Sequence, residues 1–99
     1  MVLSRNKIKL SVVVPVLNEG DNLKVLLPIL KAMINVPHEI LIVYDIVNDD
    51  SIPVVKSMQK NYTRLRLVHN KLGRGVINAI KSGVNESSGE YVLTIAADD

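Results

Sequence analysis

The chain has 99 residues, 47% of them hydrophobic and 22% charged, a balance that suits one small folded domain and excludes wholesale disorder. Twelve basic against ten acidic residues leave a net charge of +2, too mild to point to nucleic acid as a partner. No cysteine is present, which excludes disulfide, zinc-thiolate and thiol-nucleophile chemistry, and no run approaches the roughly 20 apolar residues of a membrane span.

Only three aromatic residues occur, all tyrosine, so the core must be aliphatic. The first apolar run, residues 9–16, reads as a strand that Pro15 brings to an end. Asn18 and Glu19 then carry acceptors to the entrance of a helix. Asn18 or Asp21 reads as its N-cap, and Glu19 as either a dipole-complementing residue or an acceptor for a ribose or base. No G-x-G-x-x-G follows this strand, which counts against a dinucleotide-binding domain. Leu23, Leu26, Leu27 and Leu30 form the helix's core-facing stripe, and Pro28 within it predicts a kink or two shorter helical pieces.

Residues 39–45 form the second strand, ending at Asp45, which is placed to accept from the N–H of a nucleobase. Asn48, Asp49 and Asp50 read as ordinary turn residues. Ser51 is the expected N-cap of a second helix with Pro53 in its first turn, running to about Asn61. The third strand, residues 65–69, leads to Asn70-Lys71-Leu72-Gly73-Arg74-Gly75. Flexible backbone and two cations there lie close to a helix N-terminus, so Arg74 is a candidate pyrophosphate contact, while the glycines also suit a plain turn with positive φ. The third helix should bury Val76, Ile77, Ala79, Ile80 and Val84, and Ser87-Ser88-Gly89 turns into a fourth strand, residues 91–96. His38 and His69 lack a second ligand or nucleophile nearby in sequence and read as strand-end packing.

Strands alternating with helices predict an α/β fold, a Rossmann-like three-layer parallel sheet with right-handed crossovers, its near-continuous apolar strands covered on both faces. In such sheets ligands bind outside the carboxyl ends of the strands. That places Asp98 and Asp99, which follow the fourth strand, as candidate ligands for a hard divalent cation, a role that needs only one or two carboxylates plus substrate phosphates.

Taken in order, Val13-Val14-Pro15-Val16-Leu17-Asn18-Glu19, residues 39–45 with Asp49, Gly73-Arg74-Gly75 with Ser82-Gly83, Gly89-Glu90-Tyr91-Val92-Leu93 and Ala97-Asp98 resemble the nucleotide-binding half of a family 2 glycosyltransferase. The similarity is greatest to the dolichol-phosphate mannosyltransferase-like and polyprenyl-phosphate sugar transferase branch. It implies a GT-A fold, a UDP- or GDP-linked sugar donor, Mg²⁺ or Mn²⁺, and transfer to a lipid-phosphate or saccharide acceptor. By that resemblance Pro15, Leu17 and Glu19 line the nucleoside pocket, Asp45 meets the base, and Asp98 stands near metal and diphosphate. Tyr44 departs from the family's usual pair of acidic residues after the second strand, Ile46-Val47 from its small turn, Leu17 from a frequent aromatic, and Ala96-Ala97-Asp98 from its Asp-x-Asp.

The expectation is therefore a single partial domain, residues 1–99, cut after its fourth strand, with the catalytic base and acceptor site beyond residue 99 and no activity by itself. A cytoplasmic location follows, at the cytoplasmic face of a membrane in a longer protein, with self-association through the open sheet edge. The alternatives are a non-catalytic nucleotide-binding or interaction module, a nucleotidyltransferase of related fold, for which the glycine-rich basic loop after the first strand is missing, and a receiver-like domain, which wants more carboxylates there.

Overall fold

The computed structural model describes residues 7–98. Its strands are β1 (Leu10–Pro15), β2 (His38–Tyr44), β3 (Leu65–His69) and β4 (Tyr91–Thr94), and its helices α1 (Gly20–Met33), α2 (Ser51–Met58) and α3 (Val76–Glu86), with a 3₁₀ turn at Gln59–Asn61 continuing α2. The sheet runs β3-β2-β1-β4 and every neighbouring pair is parallel. No described helix is long and apolar enough to cross a membrane.

The order of strands decides where the helices go. From β1 to β2 to β3 the chain steps in one direction, so right-handed crossovers place α1 and α2 on the same face. The step from β3 to β4 returns across β2 and β1, which sends α3 to the other face. Alternation along the strands matches this. Val12, Val14, Ile40 and Ile42 pack with Leu23, Leu27 and Val55, while Val13, Leu41, Val43 and Val68 pack with Ala79. The predicted three-layer α/β sheet is the observed one, and β3 has the predicted bounds.

Three details differ from the sequence reading. First, α1 is one 14-residue helix running through Pro28, not two pieces. Pro28 and Lys24, whose carbonyl loses its partner, are both exposed, so water can take the place of the missing bond. Second, α3 does not bury its large aliphatic face: Val76, Ile77 and Val84 are exposed, and the helix rests on Ala79, Ser82 and Gly83. Gly83 permits this close approach, since a Cβ there would lie 2.3 Å from Val13 Cγ1. Gly83→Ala is expected to destabilise by about 1–3 kcal/mol through overpacking, only partly offset by the roughly 1 kcal/mol that alanine adds to helix propensity. A lowered urea midpoint with an unchanged m value would show it. Third, β4 stops at Thr94 and is exposed along its whole length, not covered on both faces. Among the described residues it is an edge strand, pairing with β1 alone, and Tyr91, Val92 and Leu93 on it are exposed.

A buried polar clamp closes the amino end of the sheet. The side chain of Glu39, 2% exposed at the start of β2, accepts from Ser11 Oγ (2.7 Å) and the Ser88 amide (2.6 Å) through Oε2 and from Arg66 Nη1 (3.0 Å) through Oε1. Ser11 Oγ in turn accepts from the Gly89 amide at 2.8 Å. Burial by itself pushes the Glu39 carboxyl up, but the hydrogen bonds from Ser11, Ser88 and Arg66, with the guanidinium charge, outweigh it and hold the group below its ordinary 4.5. The clamp thereby joins β1, β2, β3 and the α3–β4 turn. His38 and Tyr62 share a 2.8 Å hydrogen bond, and burial raises the Tyr62 hydroxyl to about 12. His69 stacks on Tyr44, so both histidines serve as the strand-end packing expected of them.

Candidate functional site

Between β1 and β4 the chain reverses its direction of winding, and in open α/β sheets the crevice outside the carboxyl ends of the strands at such a point is where ligands bind. A cleft of about 560 Å³ opens there. Pro15 and Val16 from the end of β1 and Thr94 and Ile95 from the end of β4 face it. Leu17 and Glu19 form one side, Gly75, Val76, Ala79 and Ile80 of α3 the other, and Asp45 and Ala96 to Asp98 complete the lining. Of the exposed apolar side chains of α3, Val76 walls the cleft, beside the half-buried Ile80, whereas Ile77 and Val84 do not line it. Three carboxylates, Glu19, Asp45 and Asp98, meet a mainly aliphatic surface.

Pro15, Leu17, Glu19, Asp45 and Asp98, separated by up to 83 positions, come together in this one space. Arg74 does not line it. Its side chain is exposed, one residue before Gly75, which does. Asp99 lies outside the described residues. Among the described residues no three His, Asp or Glu side chains gather as a metal cluster.

The two loops that shape the cleft are held by side chains whose roles sequence reasoning assigned differently. Asn18 and Asp21 do not cap α1. Glu19 occupies the N-cap position without a side-chain cap, and Asn18 adopts a left-handed conformation, φ 52°. The caps arrive from the β2–α2 connection. Asp49 Oδ2 accepts from the Asn18 amide (3.1 Å), Ser51 Oγ from the Glu19 amide (2.9 Å) and Asp50 Oδ1 from the Gly20 amide (2.9 Å), while Asn18 Oδ1 accepts from the Asp50 amide (3.0 Å). Ser51 therefore caps α1 with its hydroxyl, and its own amide donates to Asp49 Oδ1 at 2.7 Å. Asp49 and Asp50 are accordingly more than turn residues. Asp49, 1% exposed, joins the starts of two helices. The amides of Asn18, Glu19 and Gly20 are thus engaged by the β2–α2 connection.

On the other side, Asp45 Oδ1 accepts from Asn70 Nδ2 (2.6 Å) and Oδ2 from the Gly75 amide (3.2 Å). Gly73 and Gly75 have φ of 115° and 118°, conformations that glycine adopts without strain. Asn70 is a residue the sequence did not single out. An asparagine directly after a strand and before glycines has the composition of any loop.

Residues 11–99 match the family model of glycosyl transferase family 2. The chain is also 33% identical over 91 residues to an uncharacterized glycosyltransferase of Escherichia coli, YibD, an alignment covering 92% of this chain and 26% of that protein. It thus spans about a quarter of the length of the curated relative it matches. With a parallel Rossmann-like sheet, a cleft at its switch point and a match over nearly its full length, the chain belongs to glycosyl transferase family 2.

Proposed function

We propose that residues 1–99 are the donor-binding part of a glycosyltransferase that moves a sugar from a UDP- or GDP-linked donor to a lipid-phosphate or saccharide acceptor. The observation that carries this reading is the convergence of Pro15, Leu17, Glu19, Asp45 and Asp98 on one cleft at the switch point of the sheet. The aliphatic lining suits the faces of a nucleoside, Asp45 supplies an acceptor for a base N–H, and Glu19 one for the ribose hydroxyls. In this reading Arg74, one residue before Gly75 of the lining, would contact the diphosphate from outside the cleft.

Electrostatics supports a divalent cation. A diphosphate entering here meets three carboxylates, and among the described residues the lining contains no Lys or Arg side chain to offset them. The donor set is all oxygen, with no histidine, which fits Mg²⁺ or Mn²⁺. Asp98, exposed at the cleft, and Asp99 after it would hold the ion together with the substrate's phosphates. When bound, it supplies Lewis-acid neutralisation of the departing diphosphate. The chain's own residues bind and orient the donor, and the base that activates the acceptor is expected beyond residue 99.

Calorimetric titration with UDP, GDP and their sugar conjugates, with and without Mn²⁺, tests the reading. Metal-dependent binding is expected, weakened at least tenfold in Asp98→Ala. Binding indifferent to both Mn²⁺ and Asp98→Ala would instead favour a non-catalytic nucleotide-binding module, and no binding by the longer protein would sink the donor-site proposal.

A further inference from the structure

Asn70 is 6% exposed, and all its side-chain hydrogen-bonding capacity is used. Its Oδ1 accepts from the Leu72 amide (3.1 Å) and from Ser82 Oγ (2.9 Å), and its Nδ2 donates to Asp45 Oδ1 (2.6 Å) and to the Gly73 carbonyl (2.7 Å). Its own amide donates to the Tyr44 carbonyl at 2.8 Å, fixing the backbone of the residue before Asp45. The orientation of the side-chain amide is forced. A backbone N–H can only donate, so the atom facing Leu72 must be the oxygen, and the nitrogen is left facing Asp45 Oδ1 and the Gly73 carbonyl, which can only accept.

We propose that Asn70 is a positioning residue for nucleotide recognition: it aims the Asp45 carboxylate across the mouth of the cleft. The proposal rests on the reading of Asp45 as the base contact. Asp45 is held from two sides, by Asn70 on Oδ1 and by the Gly75 amide on Oδ2. One carboxylate then braces the end of β2 against the start of α3, and the orientation of the base acceptor and the path of the loop carrying Arg74 become a single mechanical unit. A carboxylate with a fixed direction discriminates between bases, because only a base whose N–H meets a remaining lone pair gains the bond. One free to rotate discriminates less. Ser82 acts one step further back, and its hydroxyl, donated to Asn70 Oδ1, keeps the amide from turning over.

Two variants separate this from general loop stability. Asn70→Ala removes the donor. Asn70→Asp keeps shape and the two acceptor bonds but presents a carboxylate oxygen to Asp45, so it should disturb Asp45 more than Asn70→Ala while preserving packing. Two readouts are needed. Scalar couplings across the Asp45 Cα–Cβ bond report whether its side chain keeps one rotamer, with no ligand present. Titration with UDP, GDP and CDP in the presence of Mn²⁺ reports the preference among bases. The expected result is one Asp45 rotamer in the parent protein, averaging in both folded variants, and a loss of about tenfold in the preferred nucleotide's advantage over the others. An Asp45 rotamer unchanged in both variants overturns the proposal, whatever binds. Averaged couplings in the variants with no nucleotide bound by the parent would uphold the positioning of Asp45 and overturn the nucleotide reading on which its purpose rests. Equal weakening for all three nucleotides would show that Asn70 supports the loop alone and not base selection.

Discussion

Replacement of Glu39 by alanine is expected to lower folding stability by about 2–4 kcal/mol, because two donors, Ser11 Oγ and the Ser88 amide, lose their acceptor at about 1–3 kcal/mol each. The loss is large because the carboxylate is shared. Ser11 Oγ, the Ser88 amide and Arg66 Nη1 all donate to it; alanine removes the acceptor of the first two, while the half-exposed Arg66 keeps the carbonyl and carboxylate of Glu86. Glu39→Gln retains one acceptor oxygen and should fall between the two. Equilibrium urea unfolding at neutral pH measures both, and an alanine variant within 1 kcal/mol of the parent would show the clamp to be incidental. The same group gives the fold an acid sensitivity of definite sign. Its folded pKa is lowered below the ordinary 4.5, so its contribution is complete above that value and is lost as pH falls through the lowered folded value. The parent should therefore lose stability below about pH 4.5 more steeply than Glu39→Gln, which cannot titrate there.

Asp49→Ala is expected to cost about 2–4 kcal/mol. One N-cap bond is ordinarily worth about 1 kcal/mol, and an amide left buried without a partner costs a further 1–3 kcal/mol. Asp49 supplies two such bonds, to Asn18 and to Ser51, from a side chain that is 1% exposed. Besides a lowered urea midpoint, the amides of Asn18 and Ser51 should exchange faster with solvent while those of β2 keep their protection at matched global stability. Uniform exchange would instead mean that Asp49 acts only through overall packing. Because Asn18 leads directly into Glu19 on the cleft wall, the variant should also loosen that wall.

The strands were legible because Val12-Val13-Val14 and Ile40-Leu41-Ile42-Val43 are continuous apolar runs, which suit parallel strands covered on both faces. The meeting of Pro15, Asp45 and Asp98 at one candidate site was legible from the topology: parallel strands deliver the residues at their carboxyl ends to one edge. The capping of α1 was not. Asn18 carries the local signature of a cap, and nothing within one turn of it reveals that acceptors about thirty residues later occupy the role. Nor was the buried face of α3. Its periodicity allows both a large aliphatic face and a small one at Ala79, Ser82 and Gly83, and the choice depends on how near β1 stands. Covering both faces of β4 was inferred from its apolarity, which an edge strand can share.

The capping of α1 by the β2–α2 connection also bears on the order in which the chain can assemble. The start of α1 is finished by residues 49–51, so a nascent chain that has released only β1 and α1 leaves the amides of Asn18, of the N-cap Glu19 and of Gly20 still committed to water. Short helices are marginal by themselves, and this one carries a proline as well. The first strand and helix therefore gain their native stability only when β2 and the residues after it have emerged, which makes β1, α1, β2 and the connection up to Ser51 a single cooperative step in synthesis and not two successive ones.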